Sequence, residues 1–326
     1  MRLLSTSLLA LAIALPMALP ARAQTVLRFS TAAPPGDFLA KAMTSFKAEL
    51  ERTAPGAFKI SLYPAGTLFR QGTEFPALQR GNLEMSTGTT FEVAQQVPAY
   101  GFLNRGYLIR DYAHLRKLFD GPFGATYEKV VAQKMGIQIL AVGYLGTREV
   151  NLRTKREVRG PQDLAGITMR MPPGPEWQLL GRAIGVTPVP MGMPETYLGL
   201  KTGTIDGQEN PLTILNAAKF YEVTQQVVLT AHLVQPVFFD IGSPVWNKLS
   251  PDLQAKLRAA AVMALKQNDA ARLADEARIV KELAAKGLTI TRVDLAAFRK
   301  NADKIYADAP IAKQWDKTLM AEAMAQ

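Results

Sequence analysis

Apolar positions along the chain switch repeatedly between period two and period 3.6. Each switch marks a change between strand and helix. Val26–Ser30 predicts a strand. Pro34-Pro35-Gly36-Asp37 predicts a turn in which Asp37 caps a helix carrying Leu39, Met43, Phe46 and Leu50 at helical spacing. Phe58–Tyr63 alternates as a strand, Phe75–Gln79 reads as helix ended near Gly81, and Leu83–Ser86 returns to strand. Tyr127–Met135 is helical with Gly136 at its end, and Ile137–Val142 follows as a buried apolar strand. The second half repeats the alternation: strand Ile167–Met171, helix Trp177–Ile184, strand Thr187–Pro190, helices Glu195–Lys201 and Leu212–Tyr221, and extended run Val234–Ile241. Such order predicts an α/β fold with largely parallel strands. Ser250-Pro251 is a strong helix start, and neither glycine nor proline follows until Gly287. A helix over Pro251–Ala285 would reach about 50 Å at 1.5 Å per residue. It either crosses two lobes or bends between them. No Gly/Ser-rich linker separates the halves, so two lobes joined by several crossing segments are expected.

The first 23 residues stand outside this alternation. Met1-Arg2 is a short positive start, Leu8–Leu19 is apolar but broken by Pro16, and Ala21-Arg22-Ala23 supplies a small-x-small site. This predicts a secretory signal peptide cut after Ala23 and an exported, periplasmic chain. The apolar run is too short for a spanning helix, and no cysteine follows it to carry a lipid.

Composition narrows the chemistry. With no cysteine among 326 residues, disulfide scaffolds, iron–sulfur clusters and cysteine nucleophiles are excluded. His114 and His232 are the sole histidines, which excludes a multi-histidine metal centre. Removing Arg2 and Arg22 lowers the formal charge from +10 to +8, since 36 basic residues then face 28 acidic ones. Such a balance can draw anions towards a cleft. Nucleic acid is not an expected partner, because no basic stripe interleaved with aromatics is present. Hydrolase, P-loop and dinucleotide motifs are missing. Asp206-Gly207-Gln208-Glu209-Asn210 lacks the spacing of a calcium loop and reads by itself as a tight turn. No cofactor is called for.

The stretch 145–232 is the most informative. Leu145-Gly-Thr-Arg148, Pro161-x-Asp163-Leu164-x-Gly166-Ile-x-Met-Arg170-Met-Pro172, and Gly185-Val-Thr-Pro188-x-Pro190-Met191 occur in order. Glu195-x-Tyr197-x-x-Leu200-x-Thr-Gly203, Asp206-Gly207-Gln208-Glu209-Asn210-Pro211, Phe220-Tyr221-Glu222-Val223 and Leu229-Thr230-x-His232 follow. Together they resemble the DctP-like solute-binding proteins of tripartite ATP-independent periplasmic (TRAP) transporters.

The resemblance implies a two-lobed periplasmic-binding-protein fold with the ligand cleft between lobes. It implies a receptor that hands a small organic acid to a separate membrane permease. The first lobe would comprise residues 24–145 and about 237–275, the second 146–236 and about 276–326. Arg170 would salt-bridge the ligand carboxylate, as a planar, permanently charged guanidinium suits. Asn210 would hydrogen-bond the ligand, and Arg148 would be a second ligand arginine. Glu209 and His232 would orient Arg170 from behind. Met193 and Trp177 are either cleft wall or core. Phe69 and Thr89 fall where the opposite wall is expected, and Phe69 is equally a core candidate. The first-lobe stretches differ from those of sialic-acid-binding members, so a monocarboxylate is expected without sialate identity, sugar acids such as uronates leading. Hinges are expected near Gly143–Gly146 and Val234–Val237. The competing readings are an exported enzyme using Glu209 and His232 as acid and base, and a binding protein feeding a sensor.

Overall fold

The computed structural model describes residues 24–326, and the expected signal peptide lies outside the described residues. The strands are β1 Thr25–Ser30, β2 Phe58–Tyr63, β3 Met85–Gly88, β4 Ile137–Leu152, β5 Thr168–Met171, β6 Thr187–Pro190, β7 Gly207–Pro211, β8 Gln226–Gly242 and β9 Thr289–Arg292. The helices are α1 Phe38–Thr53, α2 Glu74–Gln79, α3 Thr90–Ala94, α4 Tyr112–Asp120, α5 Pro122–Met135, α6 Pro175–Ala183, α7 Thr196–Thr202, α8 Leu212–Ala217, α9 Ser243–Trp246, α10 Pro251–Ala285, α11 Leu295–Asp308 and α12 Lys317–Ala325. Asp37 caps α1 through the Leu39 N–H at 2.9 Å, and Ser250 caps α10 with Pro251 at its first position.

The strands form one sheet in the order β2-β1-β3-β8-β4-β7-β5-β6, with β9 joined to β8. Parallel pairing holds at both ends, β1 with β2 and β3, β5 with β6 and β7. The middle departs from the expected parallel sheet. There β4 and β8 pair antiparallel from Ile137 opposite Gly242 to Leu152 opposite Gln226. Both run well beyond the short apolar runs that predicted them. Their outer portions, Gly146–Leu152 and Gln226–Leu233, mix polar residues into the strand, and the buried polar chains Arg148, Asn151 and Gln226 disguise its burial. At about 3.3 Å per residue a 16-residue strand spans roughly 50 Å, so this ribbon ties both ends of the sheet together.

The ribbon is bulged between Ile139 and Ala141, Tyr144 and Gly146, and Arg148 and Val150. A bulge bends its strand. Gly146 sits at φ 129°, and a Cβ there would stand 2.5 Å from the Pro211 Cβ, so glycine is required at this bend.

Three apolar clusters hold the layers. Phe29, Phe46 and Phe239 meet edge to face at centroid distances of 4.8–5.8 Å under α1 and α10. Tyr127, Phe119 and Phe238 anchor a second cluster under α4 and α5. Met169, Trp177, Leu180 and Phe298 form a third, between α6 and the end of the sheet that holds β5. Helix α10 packs along α1 and β4. In its middle Arg272 is buried, bonded to the Asp37 carboxylate at the start of α1, to Thr213 Oγ1 at 2.7 Å and to Asn268 Oδ1 at 2.9 Å. Helix α11 packs on α6, whereas α12 packs on the turn Pro98–Asn104, and the Ala323 carbonyl lies 2.9 Å from His114 Nε2. Among the described residues no helix is long and apolar enough to cross a membrane.

Candidate functional site

A cleft of about 720 Å³, counted out into the open solvent at its entrance, lies where the ribbon bends. Elements before residue 93 supply one wall, through Thr31, Gln71, Glu74, Thr87, Thr89 and Glu92. The other wall carries Arg148, Arg170, Trp177, Met193, Asn210 and Gln235.

Strand β5 delivers Arg170. Its parallel neighbour β7 places Gln208 beside Arg170, and Asp206 fixes the start of β5 by accepting the Thr168 N–H and hydroxyl at 3.0 and 2.6 Å. The guanidinium donates from Nε to the Met191 carbonyl at 2.8 Å and from Nη2 to Gln71 Oε1 at 2.9 Å. It is 1 % exposed and forms no ion pair among the described residues. Burial pushes it down to about 9, Glu209 pulling it up and Arg148 pushing it down further. Arg170 is therefore a desolvated cation with two neutral acceptors. Such a charge is costly until an anion joins it.

Arg148 is the opposite case. Its Nε and Nη2 grip Glu209 at 2.5 and 2.6 Å, Nη2 also reaches the Glu209 carbonyl at 2.7 Å, and Nη1 donates to Gln235 Oε1 at 2.7 Å. Its guanidinium lies 4.8 Å from the Trp177 ring centroid, and that ring stacks on Phe91 at 3.5 Å with an interplanar angle of 9°. Period-two alternation on β7 explains the pairing: Gln208 and Asn210 share one face, bonded to each other at 2.6 Å, and Glu209 projects from the other. Burial is the largest influence on Glu209 and opposes its charge, but Arg148 and His232 outweigh it and hold the carboxyl below its usual range. Burial likewise holds His232 below the usual histidine value, against the pull of Glu209. The neutral ring donates from Nε2 to Glu209 Oε2 at 3.0 Å and accepts the Thr230 hydroxyl at Nδ1, 2.8 Å away.

The cleft thus brings together Arg170, Asn210, Arg148, Met193, Trp177 and Thr89. Two sequence expectations change. Glu209 and His232 hold Arg148, not Arg170, because the strand alternation turns Glu209 to that side. They are consumed in that network. Phe69 does not line the cleft; it is half-buried against the cluster containing Tyr127 and Phe238. Trp177 does both things weighed for it, lining the cleft while belonging to the third apolar cluster.

Sequence reasoning missed Gln71, Glu74, Glu92 and Gln235. Gln71 Oε1 accepts from Met193 N at 2.9 Å as well as from Arg170, so it spans the cleft, and the neighbouring Arg70 pairs with the exposed Glu195 at 3.2 Å. Glu74 Oε2 accepts the Gly72 N–H at 2.7 Å; burial first, then Glu92, push the carboxyl up to about 7. Glu92 Oε2 accepts the N–H and hydroxyl of Thr89 at 2.9 and 2.6 Å, and burial raises it too. The spacing Thr89-x-x-Glu92 is a readable capping-box signal, and it would have placed Glu92 beside Thr89. Among the described residues no group of three or more histidine and acidic side chains could hold a metal ion.

Comparison with known proteins bears on this geometry. Residues 29–313 match the family model DctP, bacterial extracellular solute-binding protein, family 7. A solute-binding protein of Verminephrobacter eiseniae is 31% identical over 307 residues, covering 94% of this chain and 89% of the relative. The crystal structure of a TRAP periplasmic solute-binding protein from Roseobacter denitrificans with bound 3-deoxy-D-manno-oct-2-ulosonic acid superposes with a TM-score of 0.88. It is 35% identical and covers 93% of this chain and 99% of that one. Another Roseobacter denitrificans TRAP protein, with bound L-galactonate, gives a TM-score of 0.85 at 26% identity, with 93% and 99% covered.

Proposed function

The chain belongs to the bacterial extracellular solute-binding proteins of family 7, the TRAP transporter receptors, and is not an enzyme; on that premise we propose that it captures a sugar acid bearing one carboxylate. The observation that carries this reading is Arg170, a buried guanidinium without an anionic partner that lines the cleft. Its Nε edge is taken by Met191 and one Nη2 hydrogen by Gln71. Nη1 makes no hydrogen bond among the described residues and, with the remaining Nη2 hydrogen, is left to donate to a carboxylate. Asn210 sits on the same wall, suited to a hydroxyl, and Trp177 lines it with its ring held between Phe91 and Arg148. The two relatives with bound acids support the class, and a uronate or aldonate is the leading candidate.

Capture then proceeds by closure. The walls move about the ribbon bends near Gly143–Gly146 and Val234–Val237, and the ligand favours the closed form by bonding to both walls at once. Burial strengthens those bonds by excluding water. The loaded receptor releases the acid to a membrane permease. On this reading the mature protein works in the periplasm after a signal peptide, residues 1–23, is cut away behind Ala23.

A thermal-shift panel tests the reading. Galactonate, galacturonate and 3-deoxy-D-manno-oct-2-ulosonic acid are compared with galactose and galactitol. A true ligand at 100 times its dissociation constant should stabilise the fold by about 2.7 kcal/mol. Shifts with the neutral compounds and none with any acid would overturn it.

A further inference from the structure

The cleft segregates its unpaired charges. Arg170 holds an uncompensated cation on one wall. The wall built from residues before 93 carries Glu74 and Glu92 and no lysine or arginine. Glu74 is bonded to a backbone N–H and Glu92 to the N–H and hydroxyl of Thr89, and neither meets a cation among the described residues. Helix capping does not require this charge, since glutamine serves the same position of a capping box. Two carboxyls facing a buried cleft cost stability through burial and mutual repulsion. What they offer a ligand is acceptor capacity: each carboxyl can take hydrogen bonds from hydroxyl groups, and each repels a carboxylate placed against it.

We infer that Glu74 and Glu92 determine specificity, selecting a ligand with one carboxylate and a hydroxylated remainder and rejecting the corresponding diacid. The inference rests on the reading of Arg170 as partner of the single carboxylate. A sugar monoacid then meets a cation at one end and acceptors along its hydroxyls. A diacid of the same skeleton brings its second carboxylate to the acidic wall.

Calorimetry on the mature chain at pH 8 tests this with two matched pairs, galactonate against galactarate and gluconate against glucarate. The monoacid of the better-bound pair should bind about a hundredfold or more tighter than its diacid, the scale expected for like charges brought together. Glu92→Gln and Glu74→Gln, both able to keep the present hydrogen bonds, should each narrow that preference about tenfold, chiefly by improving diacid binding. Diacid affinity within a few-fold of monoacid affinity in the unsubstituted protein, or a preference unchanged in both variants, would overturn the inference while leaving the sugar-acid reading intact. Failure of all four acids to bind, and of galacturonate and 3-deoxy-D-manno-oct-2-ulosonic acid with them, would overturn both.

Discussion

Arg148 and Arg170 line one cleft and are equally buried, at 2 % and 1 % exposure, yet their charges are settled in opposite ways. Arg148 is locked to the Glu209 carboxylate by two bonds and backed by His232 and Gln235. Arg170 has a carbonyl and an amide oxygen. Residue type and position in the chain make both look like ligand arginines. Counting acceptors separates them: Arg148 makes four hydrogen bonds, three of them to Glu209, and Arg170 makes two to neutral oxygens, so Arg170 keeps the more open guanidinium.

The largest effect should come from dismantling the filled one. Glu209→Ala leaves Arg148 buried without its carboxylate, and breaking one side of a buried pair costs about 3–5 kcal/mol. Chemical denaturation should show that loss. A change below about 1 kcal/mol would mean that water or Gln235 replaces Glu209, and the contrast between the arginines would collapse.

Arg170 should behave conversely. Arg170→Met removes a buried cation that nothing ionic compensates, so the ligand-free melting temperature should hold or rise. Affinity for the acid should fall by about 2–5 kcal/mol. Arg170→Lys should also weaken binding, because an ammonium cannot present the two-pronged edge. Intact affinity in the folded Met variant would remove Arg170 from the site.

The pH dependence should divide along the same line. Glu209 and His232 both have folded values below their ordinary ones. The unfolded chain therefore binds more protons, and their contribution, full above the unfolded values, is lost as pH falls. Glu74 has the opposite sign. Its folded value of about 7 lies above the unfolded 4.5, so its contribution is full in acid and is lost as pH rises through 7. The Arg148 network should thus fail on the acid limb and the acidic wall on the alkaline limb. Glu74→Gln should flatten the alkaline fall, by about 1–3 kcal/mol at pH 8, and leave the acid limb alone. An alkaline limb unchanged by the substitution would show that Glu74 is not the group titrating there.

The wall holding the two arginines was largely legible in the sequence and the opposite wall was not. Arg170, Asn210 and Met193 were picked out by the ordered motifs that resemble TRAP receptors, and the Gly, Pro and Asp punctuation of those motifs marks the short strands and turns that carry them. The helix over Pro251–Ala285 was equally plain, because its cap and its uninterrupted run are local signals. The first-half wall depends on the loop from Pro64 to Thr73, where Ala65 and two glycines take left-handed conformations and no periodicity guides the reading. Gln71 and Glu74 reach the cleft through that path. The long ribbon was seen in fragments, because buried arginine, asparagine and glutamine break the apolar pattern that ordinarily marks a central strand.

The smallest effect expected is at Gln71, and it decides what the bridge between the walls is for. Its Oε1 accepts two N–H groups from the opposite wall, Arg170 Nη2 and Met193 N, each at 2.9 Å. If the bridge aims Arg170 and favours closure, Gln71→Ala loses one bond to a charged donor. Water can replace much of that bond in the open cleft, so the loss should be about 1 kcal/mol, roughly fivefold in affinity. Dissociation should carry the change, since closure holds the ligand after encounter. The substituted protein should also need more ligand to reach its smaller radius of gyration in scattering. Tighter binding on removal of Gln71 would reverse the assignment. The amide would then compete with the ligand for the guanidinium edge, and Arg170 would be less open than its lack of an ion pair implies.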